Sequence, residues 1–203
     1  MWNDVSRLTR RFVDGRCPTA QLPTTIRLSG LRRMMKRLWR QSVRDIAAGV
    51  VVEHAATLVR GADGKVRLDY AVAGIANAVT PVYTVGADET CIGTYHTHPY
   101  AEGLTGMAFS DTDIASVIEF EEWISLVQSG DDVFALIRTT KTVDSVVPSV
   151  LEADFDQFLN VALRAGSSER AALWTANIGV CRRYGLAFYA GQVDGNLEVI
   201  FKP

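Results

Sequence analysis

The sequence contains no apolar run long enough to cross a membrane, and its first 16 residues lack the apolar centre of a secretory signal. Arginine is frequent in that segment, as it is in transit peptides. Asp4, Asp14 and the absence of a clean amphipathic stripe nevertheless favour a plain N-terminal arm. We therefore expect a cytoplasmic protein that has no membrane partner.

Cysteine is scarce, and its three positions form no pattern. Cys17, Cys91 and Cys181 are odd in number, widely spaced and never part of a C-x-x-C pair, which excludes a disulfide framework and fits a reducing compartment. We expect each to be a small buried apolar side chain. Cys91 lies five residues before His96, so in a regular strand it would point away from that histidine.

Several catalytic signatures are also missing. There is no phosphate-binding P-loop, no dinucleotide-binding glycine fingerprint and no G-x-S-x-G elbow. The H-x-E and P-C-x-x-C elements of zinc-dependent deaminases are absent too. Without internal repeats or Pro-rich linkers, the 203 residues are expected to form one domain over 29–203, preceded by an arm over 1–28.

Charge is distributed unevenly. Residues 1–49 carry 11 Lys/Arg and 3 Asp/Glu, a net charge of +8, whereas residues 50–203 carry 10 and 20, a net charge of −10. Much of the positive charge falls on a predicted basic helix over 31–46, which is a candidate docking site for an acidic partner. The alternative is a solvated helix face. Nucleic acid is not expected, because only Trp39 offers an aromatic ring for stacking on bases.

Hydrophobic periodicity and turn residues predict an α/β fold. Ser29 is expected to cap a helix that ends at Gly49, and Asp63-Gly64 to join two strands in a hairpin. Ser110 is expected to cap a helix that runs to about Gln128. The other predicted strands cover residues 81–85, 91–99, 133–140, 142–147, 186–192 and 196–201, and the other helices cover 148–165 and 167–184. Together these elements predict a mixed β-sheet flanked by helices.

The segment Gly93-Thr-Tyr-His-Thr-His-Pro99 carries the clearest chemical signal. His96 and His98 are two residues apart, so on a strand both imidazoles project from the same face, and Pro99 ends the strand. Ser110 and Asp113 then match the N-cap and N3 positions of a helix. Two imidazoles and a carboxylate, His96, His98 and Asp113, are the ligand set of a catalytic Zn²⁺ with one position left for water.

A hydrolytic zinc site also needs a general base, and Glu53 is our candidate. It lies in the apolar run that begins at Val50, where a carboxylate is costly unless it is partnered. The alternative is the solvent face of an edge strand. Glu89 and Glu102 are rival bases, but both lie in loop-like sequence, where a surface position is the default.

The set Glu53, His96-Thr-His98-Pro99 and Ser110-x-x-Asp113 resembles the JAMM (MPN-plus) metalloproteases over residues 45–130. The resemblance implies a JAB/MPN, cytidine-deaminase-like architecture. It also implies that the chain is a divergent prokaryotic member of that family. It implies zinc on His96, His98 and Asp113, Glu53 as general base and acid, and Ser110 steadying the oxyanion. The implied reaction is hydrolysis of an amide, often an isopeptide bond at the C-terminus of a ubiquitin-like protein. Ten residues, 100–109, separate Pro99 from Ser110, against six in the usual family pattern.

Two other functions stay open. A non-catalytic member of the same fold would be a scaffold or partner-binding module, although such a module needs no complete set of Glu, His, His and Asp. A zinc-dependent nuclease or toxin domain would use the basic helix to attract DNA.

Overall fold

The computed structural model describes residues 4–101 and 104–203, in which eight strands form one mixed sheet with helices on both faces. The strands are β1 (Thr25–Arg27), β2 (His54–Gly61), β3 (Val66–Ala73), β4 (Glu89–Thr97), β5 (Ile124–Ser129), β6 (Asp132–Arg138), β7 (Leu186–Gln192) and β8 (Asn196–Phe201). The helices are α1 (Val5–Leu8), α2 (Arg32–Ser42), α3 (Asp111–Glu119), α4 (Pro148–Arg164) and α5 (Glu169–Tyr184). The predicted α/β class, with a mixed sheet flanked by helices, is therefore confirmed.

The order of strands across the sheet is β1-β8-β7-β6-β5-β4-β2-β3. Every neighbouring pair is antiparallel except β4 and β5, which run parallel from Gly93↔Ile124 to Thr97↔Gln128. A parallel pair needs a crossover connection, and α3 lies in the segment that makes it. The end of β4 and the start of α3 are thereby brought to the same edge of the sheet.

Two apolar cores cover the two faces of the sheet. One core joins α2 and the N-terminal segment to the face that carries Leu58 and Tyr95. The other joins α3, α4 and α5 to the face that carries Val127 and Phe134. In the part of the chain that the structure describes, no helix is both long and apolar enough to cross a membrane.

The N-terminal segment is part of the domain rather than a separate arm. Val5, Leu8, Cys17 and Ile26 are buried in the first core, together with residues from α2 and the sheet. Thr25–Arg27 extends the sheet by pairing with β8. Packing therefore shows no boundary between residues 28 and 29.

A bulge in β4 decides which side chains face the site. The pairing of β4 with β2 shifts between Gly93 and Cys91, where Gly93 has φ +142°. A Cβ on Gly93 would lie 1.9 Å from the Ile124 carbonyl oxygen, so only glycine fits there. Ile92 and Tyr95, which a regular strand would place on opposite faces, both enter the first core.

Several predicted boundaries were wrong. Helix α2 begins at Arg32 with no side-chain cap and ends at Ser42, so Ser29 does not cap it. A separate 3₁₀ turn over Ile46–Ala48 then ends at Gly49. Residues 81–85 and 142–147 form no strand, and the helix predicted to reach Gln128 stops at Glu119. The following apolar residues form β5 instead. The helices α4 and α5 and the hairpin of β7 and β8 agree with the prediction to within a few residues.

Candidate metal centre

His96, His98 and Asp113 come together at the junction of β4 and α3. His96 lies on β4, His98 directly follows its last residue, and Asp113 occupies the first turn of α3. The three offer one ligand atom each, and these atoms form a compact group of a kind that can hold a metal ion. The sequence predicted this grouping from the spacing of the two histidines and the helix cap.

The distances within the group fit a tetrahedral ion. The Nε2 atoms of His96 and His98 are 3.0 Å apart, and the Asp113 carboxylate oxygens lie 3.2 Å from His96 Nε2 and 3.3 Å from His98 Nε2. Bonds of about 2.0–2.1 Å in a tetrahedron place neighbouring ligand atoms about 3.3 Å apart. Oδ1 is the oxygen near His96 and Oδ2 is the oxygen near His98, so the carboxylate faces both rings, at spacings close to those between ligands of one ion.

The second ring nitrogen of His98 contacts the backbone two residues before Ser110. His98 Nδ1 lies 3.1 Å from the Ala108 carbonyl oxygen, an acceptor that requires Nδ1 to carry the proton. In the neutral ring Nε2 then carries the lone pair that a metal ligand needs. The Ala108 carbonyl therefore helps to orient the His98 ring.

Ser110 and Asp113 form the predicted capping box of α3. The Ser110 backbone N–H and hydroxyl both donate to Asp113 Oδ2 at 2.8 Å, and the Asp113 backbone N–H donates to Ser110 Oγ at 3.2 Å. Phe109 and Ile114 are buried at the expected staple positions. The cap occupies Oδ2, while Oδ1 faces His96.

The group attracts positive charge. Burial disfavours the charged forms of His96 and Asp113, but their mutual attraction outweighs it. The pKa of His96 is consequently raised, and the pKa of Asp113 lies well below its usual range. A bound cation would be stabilised by the same carboxylate, in competition with a proton on the imidazoles.

Glu53 lies beside the group, as the sequence predicted for the base. It directly precedes β2, in which Ala55 pairs with His96, so continuing the register places Glu53 opposite His98. Its backbone N–H donates to the Ile75 carbonyl and its carbonyl accepts from Gly74 N–H, both at 2.8 Å. Burial raises the pKa of Glu53, and nearby positive charge on His98 and His96 opposes that effect. Burial and the nearby histidines therefore have opposite effects on the charge of this carboxylate.

A cavity of about 700 Å³ contains the group and both proposed catalytic residues. His96, His98, Asp113, Glu53 and Ser110 all contribute to its wall. The irregular segment over residues 76–83 and Tyr100 form other parts of the wall. A volume of this size accommodates several residues of an extended peptide or a small molecule.

Glu122 lines the same cavity, and the sequence did not single it out. Its carboxylate accepts hydrogen bonds from Tyr83 Oη at 2.8 Å and from Thr94 Oγ1 at 3.0 Å. Thr94 lies two residues before His96 and faces the same way. In the sequence it is one of three glutamates in the run Glu119-Phe-Glu-Glu-Trp123, so nothing set it apart from a surface residue.

The rival bases and Cys91 do not join the site. Glu89 pairs with Arg67 and accepts from Tyr70 Oη at 2.8 Å, and it is absent from the wall of the cavity. Glu102 lies outside the described residues. Cys91 is half-buried, and because of the bulge it lies close enough to Glu122 for that charge to raise the pKa of its thiol, after burial. The sequence prediction that Cys91 points away from His96 assumed a regular strand between the two residues. The bulge at Gly93 breaks that alternation.

Comparison with protein-family models, with curated proteins and with solved structures found no match to this chain.

Proposed function

We propose that this protein is a zinc-dependent peptidase or isopeptidase of the JAMM kind. The observation that carries the proposal is the triangle of His96, His98 and Asp113 ligand atoms, with Glu53 in the same cavity. Two histidines and one carboxylate leave a position open, as catalytic rather than structural zinc sites do. The order of elements also supports a JAB/MPN architecture: a glutamate before the hairpin, the histidine strand, and a Ser-capped helix that carries the aspartate.

The chain's own residues can supply the remaining steps of amide hydrolysis. When bound, a divalent ion of the zinc type supplies a Lewis acid and lowers the pKa of water. Glu53 accepts the proton of the attacking water and donates it to the leaving nitrogen as the C–N bond breaks. Ser110 stabilises the oxyanion only if its hydroxyl proton turns away from Asp113 Oδ2, to which it donates in this structure.

The proposed substrate is a protein or peptide, with the C-terminus of a ubiquitin-like protein as the leading candidate. The alternative is a non-catalytic scaffold or partner-binding module of the same fold. Zinc content of the purified protein and hydrolysis by it separate the two, because a module without catalysis cleaves nothing even when it holds the metal.

Glu53→Gln tests the activity. We expect the zinc-loaded wild type to cleave either ubiquitin joined to a fluorescent lysine through an isopeptide bond or a mixture of unstructured peptides. The Glu53→Gln variant should keep its zinc and lose hydrolysis by about a hundredfold or more, because no base remains. Glu89→Gln is the matched control and should retain the rate per zinc-loaded molecule. Normal cleavage by Glu53→Gln would show that the base is assigned wrongly.

We also propose that an acidic protein segment contacts the basic face of α2. Arg33, Arg37 and Arg40 are exposed on one stripe of that helix and, in residues 4–101 and 104–203, make no ion pair. With Arg67 they line a groove over Met34 and Leu68. Binding to DNA with a steep salt dependence would instead favour the nuclease alternative.

A further inference from the structure

Glu122 is a buried carboxylate at the inner wall of the metal-site cavity. Its residue is only 3% exposed, and it lies in the turn between α3 and β5, where its backbone N–H donates to the Val117 carbonyl at 3.0 Å. The backbone therefore fixes the position of the side chain. A carboxylate in such a place is costly unless something compensates its charge.

The partners of Glu122 are neutral hydroxyls. Tyr83 donates to Oε1, Thr94 lies 3.0 Å from both oxygens, and the Ser125 hydroxyl lies 3.4 Å from that of Thr94 and favours the charged carboxylate. Each hydroxyl has one proton to donate, so Thr94 satisfies one oxygen at a time and acceptor capacity is left over. Among the described residues, neither Lys nor Arg forms an ion pair with Glu122.

The other charges of the cavity wall also leave Glu122 without a positive partner. Its described wall contains three carboxylates, Glu53, Asp113 and Glu122, and no Lys or Arg. A divalent ion at the histidines would balance two of these negative charges. The third belongs to Glu122, and burial raises its pKa because the charge is poorly compensated.

Glu122 is hydrogen-bonded to a position on β4 that lies two residues before His96. Thr94, which donates to Glu122, is two residues from His96 on the same face of β4, a distance of about 6–7 Å along a strand. An extended peptide that runs along β4 and presents one amide bond to the histidines would bring an adjacent side chain toward Glu122.

We propose that Glu122, with Thr94 and Tyr83, forms a subsite for a cationic side chain, lysine or arginine, next to the bond that is cleaved. The ammonium or guanidinium group supplies the missing charge and donates to the carboxylate's remaining acceptor sites. The inference deepens the proposed function and rests on it for the statement that the ligand is a peptide.

The test measures binding, so that it is independent of turnover. Zinc-loaded Glu53→Gln protein is exposed to a random mixture of unstructured peptides, and the retained peptides are sequenced. We expect enrichment of Lys or Arg at one position, and loss of that enrichment in the variant that also carries Glu122→Gln. Glu119→Gln, an exposed change three residues away, should leave the enrichment intact. Retention without any basic preference, or no retention of peptides, would overturn the subsite.

A second arm removes the charge from the ligand instead of the protein. One retained peptide is compared with the same peptide carrying acetyl-lysine, and we expect its Kd to rise about tenfold or more, because a charged hydrogen bond is lost. Equal Kd values would overturn the subsite even if Glu122→Gln fails to fold. Basic selectivity in a protein whose wild type cleaves nothing would uphold the subsite and contradict the peptidase. Cleavage by the wild type without basic selectivity would support the peptidase and overturn the subsite.

Discussion

Ser110 and Asp113 hold each other in place: the Ser110 hydroxyl donates to Asp113 Oδ2 at 2.8 Å, and the Asp113 backbone N–H donates to Ser110 Oγ at 3.2 Å. The same pair begins α3 and orients a candidate metal ligand. A residue that looks like an ordinary helix cap therefore determines the direction of a carboxylate in the candidate metal centre.

Replacing Ser110 should weaken both the helix and the metal site. Ser110→Ala removes the cap, which should cost about 1 kcal/mol of the free energy of unfolding, and frees Asp113 to rotate. We expect zinc affinity to fall about tenfold to a hundredfold, as for the loss of other groups that orient metal ligands. Urea denaturation and competition with a zinc chelator measure the two effects.

Ser168→Ala is the control for the cap. Ser168 caps α5, where its hydroxyl oxygen accepts from Ala171 N–H at 3.4 Å, and it is not part of the cavity wall. This variant should lose stability and keep zinc affinity. Equal effects of both serine variants on zinc would mean that the cap does not orient Asp113.

The three histidines of the chain allow a sharp test of the ligand set. His98→Ala should abolish stoichiometric zinc, because only His96 and Asp113 would remain. His54→Ala is the matched change, since His54 hydrogen-bonds to Ser42 at 3.1 Å and is not in the group. Elemental analysis after dialysis should find about one zinc in His54→Ala and none in His98→Ala. Full zinc content in His98→Ala would contradict the proposed centre.

The parts of the site that lie close in the chain could be predicted, because local rules decide them. The alternation of side chains on a strand pairs His96 with His98, and the capping box pairs Ser110 with Asp113. The sequence could not show that β4 and β5 pair in parallel, so the predicted helix extends to about Gln128, over most of β5. Their apolar side chains suit either structure, and the contact with β4 selects the strand.

Glu122 was missed for that same reason. Its place beside Thr94 follows from the early end of α3 and from the pairing of Thr94 with Ser125 across β4 and β5. The bulge at Gly93 was equally hidden, because glycine in a strand signals an irregularity without specifying it. Residues 25–27 form β1 by pairing with the edge of β8, whereas residues 81–85 pair with no neighbouring strand.

Glu122 should make the stability of the protein depend on pH. Burial raises its pKa in the folded protein, and the hydroxyls of Tyr83, Thr94 and Ser125 offset this only in part. Between the ordinary pKa of glutamate and the raised one, the folded state binds more protons than the unfolded state. Its free energy of unfolding therefore falls as pH rises through that window.

Glu122→Gln removes this contribution. The stability of the variant relative to the wild type should rise as pH increases above about 4.5, because only the wild type then gains the buried charge. Urea midpoints at several pH values, at one zinc concentration, measure the difference. Glu119→Gln removes a charge from the exposed end of α3 and controls for the change in net charge. A difference that does not vary with pH would contradict the raised pKa.

The basic face of α2 should reduce the stability of the free protein. Arg33, Arg37 and Arg40 are spaced four and three residues apart, so Arg37 lies beside two like charges. Arg37→Glu replaces both repulsions with attractions and should stabilise the fold by a few tenths of a kcal/mol at low salt, less at high salt. Arg37→Gln removes both repulsions without adding attractions, so it should stabilise the fold by less than Arg37→Glu does. A gain in urea denaturation for both variants, larger for Arg37→Glu, would show that the arginine stripe is kept at a cost in stability, as expected for a surface that binds an acidic partner. Equal shifts, or shifts that salt does not alter, would remove that support.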